Sequence, residues 1–144
     1  MKNIEIFTDG SSRNNPGPGG WGVVIIENDK VIKELGGGEK HTTNNRMELT
    51  ATIEALRSIN ENCHIVMNVD SEYVVNGITK WIHGWIKKGW KTSDKKPVLN
   101  QDLWQQLFEV SKNKDITWKS IRSHIGIKHN ERADEIATGY ADKQ

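Results

Sequence analysis

The chain has 144 residues, 35% of them hydrophobic and 27% charged, with a mean hydropathy of −0.68, six Trp, two Tyr and two Phe. That length suits one domain around one core, and the aromatic content excludes a disordered chain. The longest aliphatic run, residues 23–26, falls far short of the ~18 residues of a membrane-spanning helix, and residues 1–5 open into a strand-like pattern without a signal-peptide core. The single Cys63 excludes an internal disulfide and a multi-cysteine zinc site, which fits a reducing, cytoplasmic setting.

The formal net charge of +1 argues against strong generic binding to nucleic acid, yet the charge is unevenly placed. Residues 80–96 hold six Lys against one Asp, and the rest of the chain holds 14 basic against 18 acidic residues. A basic island sits on an acidic body, and it carries Trp81, Trp85 and Trp90.

Residues 3–8 read as a first strand, and residues 14–20, rich in Asn, Pro and Gly, as a loop on turn chemistry. Residues 21–27 read as a buried strand, 28–30 as a tight turn and 31–36 as a third strand, together an antiparallel meander. The period then changes. Leu49, Ile53, Leu56 and Ile59 recur at spacings of three and four, predicting an amphipathic helix. Residues 65–69 form a short apolar strand and 71–78 a helix. Residues 79–90 have helical stretches broken by Gly84 and Gly89. Residues 101–110 form a helix, 116–121 a strand, 123–129 a loop, and a last helix starts near Glu131. This order predicts an α/β (α+β) mixed sheet covered by helices.

Four carboxylates fall at informative places. Asp9 ends the first strand, Glu48 lies in the first turn of the first long helix, Asp70 ends the fourth strand, and Asp134 lies in the first turn of the last helix. Sites in such sheets collect at the carboxyl ends of strands. Each residue also has an ordinary explanation. Asp9-Gly10 suits a turn, Glu48 stands at capping-box spacing from Asn45, Asp70 is a natural helix cap, and Asp134 favours a helix dipole. If all four share one rim they repel one another, and Mg²⁺ or Mn²⁺ relieves that. Two such ions serve phosphoryl displacement by water. His124, in a glycine-containing loop, suits proton transfer near neutral pH.

The island reads W-x3-W-x-K-K-x-W-K. Trp81 and Trp85 share a helical face, and aromatic planes with ammonium groups suit sugars, bases and phosphates. The plainer alternative is Trp packed into the core with solvated Lys. Asn14, Asn15, Asn44 and Asn45 suit either donor and acceptor partners, including a ribose 2′-hydroxyl or a minor-groove base edge, or capping and turn-making. Arg46 suits either a phosphate or a carboxylate.

The segments Ile6-Phe7-Thr8-Asp9-Gly10-Ser11, Asn15-Pro16-Gly17-Pro18-Gly19-Gly20, Thr43-Asn44-Asn45-Arg46-Met47-Glu48-Leu49, Asp70-Ser71, Gly77-Ile78-Thr79-x-Trp81, Gly89-Trp90-Lys91-Thr92 and Asn130-Glu131-Arg132-x-Asp134-Glu135 occur in this order. From Phe7 to Ala137 the chain resembles the bacterial ribonuclease HI branch of the type 1 ribonuclease H family. The resemblance implies a single catalytic domain over 1–144 with a basic protrusion at about 80–96, and a five-stranded mixed sheet with helices on both faces. It implies Mg²⁺-dependent endonucleolytic cleavage of the RNA strand of RNA–DNA hybrids, with two ions, leaving 3′-hydroxyl and 5′-phosphate ends. By motif match, Asp9, Glu48, Asp70 and Asp134 would be metal ligands, with Asp9 bridging, and His124 would assist proton transfer or product departure. Asn15, Asn44 and Asn45 would contact the RNA strand. Trp81, Trp85, Lys87, Lys88 and Lys91, with Tyr73 and Ser93, would hold the DNA strand, and Thr43 and Asn100 would contact a DNA phosphate. Two departures stand out. His41 occupies a position where relatives often carry arginine, and the loop at 125–129 reads Ile-Gly-Ile-Lys-His.

The competing readings are an integrase, transposase or junction resolvase of the same superfamily, which would normally lack the Trp–Lys protrusion, and a non-catalytic nucleic-acid-binding module. The second conflicts with four carboxylates and His124, because an acidic rim hinders phosphate binding without metal. No pattern suggests an obligate dimer or a protein partner, so a monomer is expected.

Overall fold

A computed structural model describes residues 2–121 and 128–144. Five strands, β1 (Lys2–Ser12), β2 (Gly17–Glu27), β3 (Lys30–Thr42), β4 (Cys63–Val69) and β5 (Asp115–Ser120), form one sheet in the order β3-β2-β1-β4-β5. The β1/β2 and β2/β3 pairs are antiparallel, and the β1/β4 and β4/β5 pairs are parallel. The helices are α1 (Asn44–Arg57), α2 (Glu72–Asn76), α3 (Ile82–Lys87), α4 (Gln101–Ser111) and α5 (Lys128–Asp142), with a π turn at Gly77–Trp81 joining α2 to α3. The expected mixed sheet and order of elements are present.

Alternation along the strands sorts the core into two layers. Ile4, Ile6, Val23 and Ile25 pack with Leu49, Ile53 and Leu56 of α1, and Leu103, Trp104 and Leu107 of α4 join the same cluster. Phe7, Val24 and Ile26 face the other way and pack with Ala133 of α5. Helices therefore cover both faces.

Several boundaries differ from expectation. Residues 17–20 belong to β2 rather than to a loop, and β3 runs on to Thr42. The glycines there serve close packing. A Cβ on Gly22 would lie 2.4 Å from the Ala133 carbonyl oxygen of α5. Turn chemistry and close approach both use glycine, so local pattern confuses them. Gly84 lies inside α3 without breaking it, and Gly89, at φ +68, follows the helix end. The irregularity falls earlier, at the π turn, where Gly77 packs directly against the Trp104 indole.

Two features of the sheet prepare a site. The β1/β4 ladder stops at Thr8↔Val69, while β1 continues to Ser12 paired only with β2. Beyond Thr8 one edge of β1 is therefore open, and side chains from both faces can meet there. At Gly10 the backbone of α1 comes so close that a Cβ would lie 2.3 Å from the Glu48 nitrogen.

Gly10→Ala should thus force β1 and α1 apart. The expected cost is roughly 1–3 kcal/mol, as for other overpacked core sites. It would appear as a lowered urea midpoint, and an unchanged midpoint would show that the contact yields freely.

Candidate active site and nucleic-acid interface

Asp9 lies within β1, not at its end as expected, opposite Gly22 and one step beyond the last β1/β4 pair. Asp70 directly follows β4, so the two residues sit side by side at the open edge, and the Asp70 N–H reaches the Thr8 carbonyl at 3.5 Å. Glu48 enters from α1, whose cap is Thr43. The Thr43 hydroxyl oxygen accepts from the Arg46 N–H at 3.2 Å. Glu48 is therefore in the second turn, and the capping-box explanation centred on Asn45 falls away. Ser71, not Asp70, caps α2. The last helix starts at Lys128, which puts Glu131 in the first turn and Asp134 in the second. The turn explanation for Asp9 and the cap and dipole explanations for the others are thereby removed.

The electrostatics show that the four acids gather. Asp9 and Glu48 are 5% and 8% exposed, although both are ionisable. The Asp9 carboxyl is pushed up to about 8, first by burial, then by a side-chain hydrogen bond with Asp134 and the charges of Asp70 and Asp134. The Gly10 N–H, 2.9 Å from Asp9 Oδ1, opposes this only partly. Glu48 is raised well above the usual carboxylate range by burial and by the charges of Asp9 and Asp70. Its Oε1 is buried without a hydrogen-bond partner. An acid pair can share a hydrogen bond only while one member holds a proton. Without cations, the crowding favours a protonated Asp9. Among the described residues, no three acidic, His or Cys side chains are already drawn around one point as a finished metal cage. The donor set is nevertheless all oxygen, and Glu48 Oε1 lacks a partner, so the site suits a hard divalent cation.

Beside the acids, Asn15 and Asn44 are tied to the backbone through their oxygens. Asn44 Oδ1 accepts from the Ser12 N–H at 2.7 Å and the Ser12 hydroxyl at 3.1 Å, and Asn15 Oδ1 accepts from the Asn44 N–H at 3.0 Å. Their amide nitrogens remain as donors. Asn45 is exposed in the first turn of α1.

The aromatic residues form a chain. Tyr73 lies 6.0 Å from Trp81 and 5.3 Å from Trp104, while Trp85 lies 6.0 Å from Trp81, 6.4 Å from Trp90 and 5.2 Å from Trp104. Trp104 is fully buried and Trp81 is 40% exposed. The packed reading of the island therefore holds for Trp85 and Trp90, while Trp81 opens to solvent. Lys87, Lys88, Lys91 and Ser93 are exposed, as is His41. Arg46 takes the carboxylate option, paired with Asp102 through two contacts of 2.8 and 3.0 Å. His124 and residues 125–127 of its loop lie outside the described residues.

Sequence reasoning missed Ser12, Asp102 and Trp104. Asp102 sits 56 residues from Arg46, and no local signal joins them. Trp104 adjoins Leu103 on the apolar side of α4, which a fuller reading of that face would have found.

The sheet order, the two helical layers and the acid cluster at the open end of β1 define a ribonuclease H-like fold. Comparison with known proteins agrees. The RNase H family pattern matches residues 1–142. The chain is 54% identical over 144 residues to the Ribonuclease H of Erythrobacter litoralis, covering 100% of this chain and 99% of that one. It is 53% identical over 140 residues to the Ribonuclease HI of Pseudomonas putida, covering 97% and 94%. Among solved structures, LC9-RNase H1, a type 1 RNase H with the type 2 active-site motif, superposes with a TM-score of 0.89 at 30% identity, covering 100% of this chain and 74% of that one. LC11-RNase H1, solved in complex with RNA/DNA hybrid, matches with a TM-score of 0.69 at 27% identity over 97% of each chain. The chain belongs to the RNase H family. It is a nuclease.

The raised Asp9 carboxyl has a measurable consequence. Its folded value lies above its unfolded value, so the native state holds a proton that the unfolded chain releases between about pH 4 and 8. Its contribution to stability is therefore lost as pH rises through about 8. Asp9→Asn should flatten this decline. At pH 8 without divalent ions, the variant should melt at least ~3 °C higher, roughly what 1 kcal/mol does in a domain of this size. Calorimetry of both proteins from pH 5 to 9 tests it, and equal melting points at pH 8 would contradict it.

Proposed function

We propose that this protein is an endoribonuclease that hydrolyses the RNA strand of RNA–DNA hybrids with Mg²⁺, or Mn²⁺ in its place, leaving 3′-hydroxyl and 5′-phosphate ends. The observation that carries this reading is the burial of Asp9 and Glu48 against Asp70 and Asp134, with one Glu48 oxygen unpartnered. Such crowding disfavours the charged acids unless cations enter.

Asp9, Glu48, Asp70 and Asp134 would hold the divalent ions, two by the family resemblance. When bound, such ions supply Lewis acidity at the phosphate and a water made nucleophilic near neutral pH. The carboxylates fix this chemistry at the open edge of β1. Water adds at phosphorus as the 3′ oxygen leaves, and that oxygen takes up a proton to become the 3′-hydroxyl. His124 would carry a proton or ease product departure.

Strand choice follows from the flanking groups. Asn15 and Asn44, with their oxygens already engaged, offer N–H groups to acceptors on the RNA strand, such as a 2′-hydroxyl oxygen or a minor-groove base edge, and Asn45 joins them. Tyr73, Trp81, Trp85 and Ser93 offer a surface to deoxyribose, and Lys87, Lys88 and Lys91 offer cations to phosphates. Thr43 and Asn100 offer donors to a further DNA phosphate. A DNA duplex lacks the 2′-hydroxyl, and an RNA duplex lacks the sugar geometry for the aromatic channel. No described helix is long and apolar enough to cross a membrane. Cys63 is free and buried, which is compatible with a reducing compartment.

Labelled RNA–DNA hybrid, RNA duplex and DNA duplex, each incubated with Mg²⁺, should show cleavage of the hybrid alone. Equal cutting of all three, or an intact hybrid, would overturn the reading. Chelation of divalent ions and Asp9→Asn should each abolish turnover. A triple Lys87→Ala, Lys88→Ala, Lys91→Ala variant should bind hybrid more weakly, with a log K versus log salt slope shallower by up to about 0.9 per lost phosphate contact. An unchanged slope would show these lysines to be merely solvated.

A further inference from the structure

A neutral amide that contacts a phosphate must face it with nitrogen rather than oxygen. Asn100 stands in the left-handed region, φ 61 and ψ 28, just ahead of α4, and its side chain does not cap that helix. Both ends of its amide are engaged elsewhere. Nδ2 donates to Tyr73 Oη at 3.1 Å, and Oδ1 accepts from Arg46 Nη1 at 3.3 Å. A guanidinium has donors only, so the amide oxygen must be the end that meets it, and a flipped amide would set N–H against N–H. Arg46 cannot easily turn away, because Asp102 grips it at both nitrogens. On the other side, Tyr73 Oη also accepts the Trp104 indole N–H at 3.1 Å, from a fully buried ring. One hydrogen of Asn100 Nδ2 is thereby committed and the other left over. Thr43 is oriented by the same residue. Its oxygen accepts the Arg46 backbone N–H, leaving the hydroxyl proton to donate.

We propose that Arg46 and Tyr73 are positioning residues that lock Asn100 with its spare N–H outward, so that Asn100, beside the hydroxyl donor of Thr43, turns a donor toward the acceptor-only oxygens of a DNA-strand phosphate. Asp102 is the anchor that keeps Arg46 in place. This inference rests on the hybrid-cleaving function proposed above. It gives Tyr73 a second task beyond its ring surface, and it gives Arg46 a role without direct contact to nucleic acid.

A double-mutant cycle on hybrid cleavage tests it. Arg46→Ala should raise KM roughly three- to tenfold, the scale of one misdirected hydrogen bond, with kcat changed less than about twofold. In an Asn100→Ala background the same substitution should add almost nothing. Tyr73→Phe keeps the ring and removes only the acceptor, so it should raise KM in the same direction and also fall silent in that background. It carries the test should Arg46→Ala fail to fold. Arg46→Lys should not restore KM, because a single ammonium lacks the two-pronged hold on Asp102. On the substrate side, hybrids with single DNA-strand phosphates replaced by neutral methylphosphonates should reveal a position that weakens binding to wild type and not to Arg46→Ala. Additive penalties in the cycle, or a loss in kcat in place of KM, would overturn the clamp while leaving the function intact. Wild-type protein that leaves the hybrid uncut would overturn both.

Discussion

The structure turns on one constraint: Asp9, buried where β1 outruns β4, is crowded by the carboxyls of Glu48, Asp70 and Asp134. Like charges in a buried place are tolerated only if protons or cations neutralise them. Asp9 is raised to about 8, and Glu48 is raised by burial and by the charges of Asp9 and Asp70, so without cations the charged forms of both are disfavoured here. Everything that brings the acids together belongs to packing. The β1/β4 ladder ends at Thr8↔Val69, Gly10 admits α1, and Gly22 admits α5. The same glycines that let the helices approach the sheet therefore deliver Glu48 and Asp134 to Asp9. A fold with looser packing at those points would be more comfortable electrostatically and would hold no site.

Around this acidic centre the polar side chains follow a common logic. Asn15, Asn44, Thr43 and Asn100 each spend an oxygen on the protein's own N–H groups and keep a donor in reserve. A nucleic-acid backbone is rich in acceptors, so under the proposed function these donors would be set before any ligand arrives. The lysines contribute differently. They stand exposed at and beyond the end of the Trp-bearing helix, where their charge acts at longer range and is screened by salt. Near-zero net charge thus conceals two opposed regions, an acid centre and a basic arm.

Most of the architecture was legible in the chain. Strand alternation and the three–four spacing of Leu49, Ile53 and Leu56 survive because burial dictates them locally. The four acids were legible as candidates, and the motif resemblance singled them out. Their surroundings were less so. Residues 17–20 read as a loop because glycine, without tertiary context, looks like turn chemistry. Asp70 read equally well as a helix cap and Glu48 as a capping-box partner of Asn45, and only the structure shows Ser71 and Thr43 as the caps. Gly84 seemed to interrupt a helix that in fact absorbs its irregularity at Gly77–Trp81, where the indole of a distant helix fills the missing side chain's place.

The sequence by itself determined the kinds of chemistry available: an all-oxygen acid set, amides flanking it, and a Trp–Lys segment set apart by charge. These depend on residue type and near-neighbour spacing, which the chain states outright. Tertiary structure decided which groups face each other. Whether Arg46 meets a phosphate or Asp102, whether Trp85 and Trp90 join the core or the solvent, and whether Asp9 sits at a turn or in a buried acid pair are matters of contacts across tens of residues. Such contacts are set by where the strands stop and how closely the helices approach, and no local pattern encodes either.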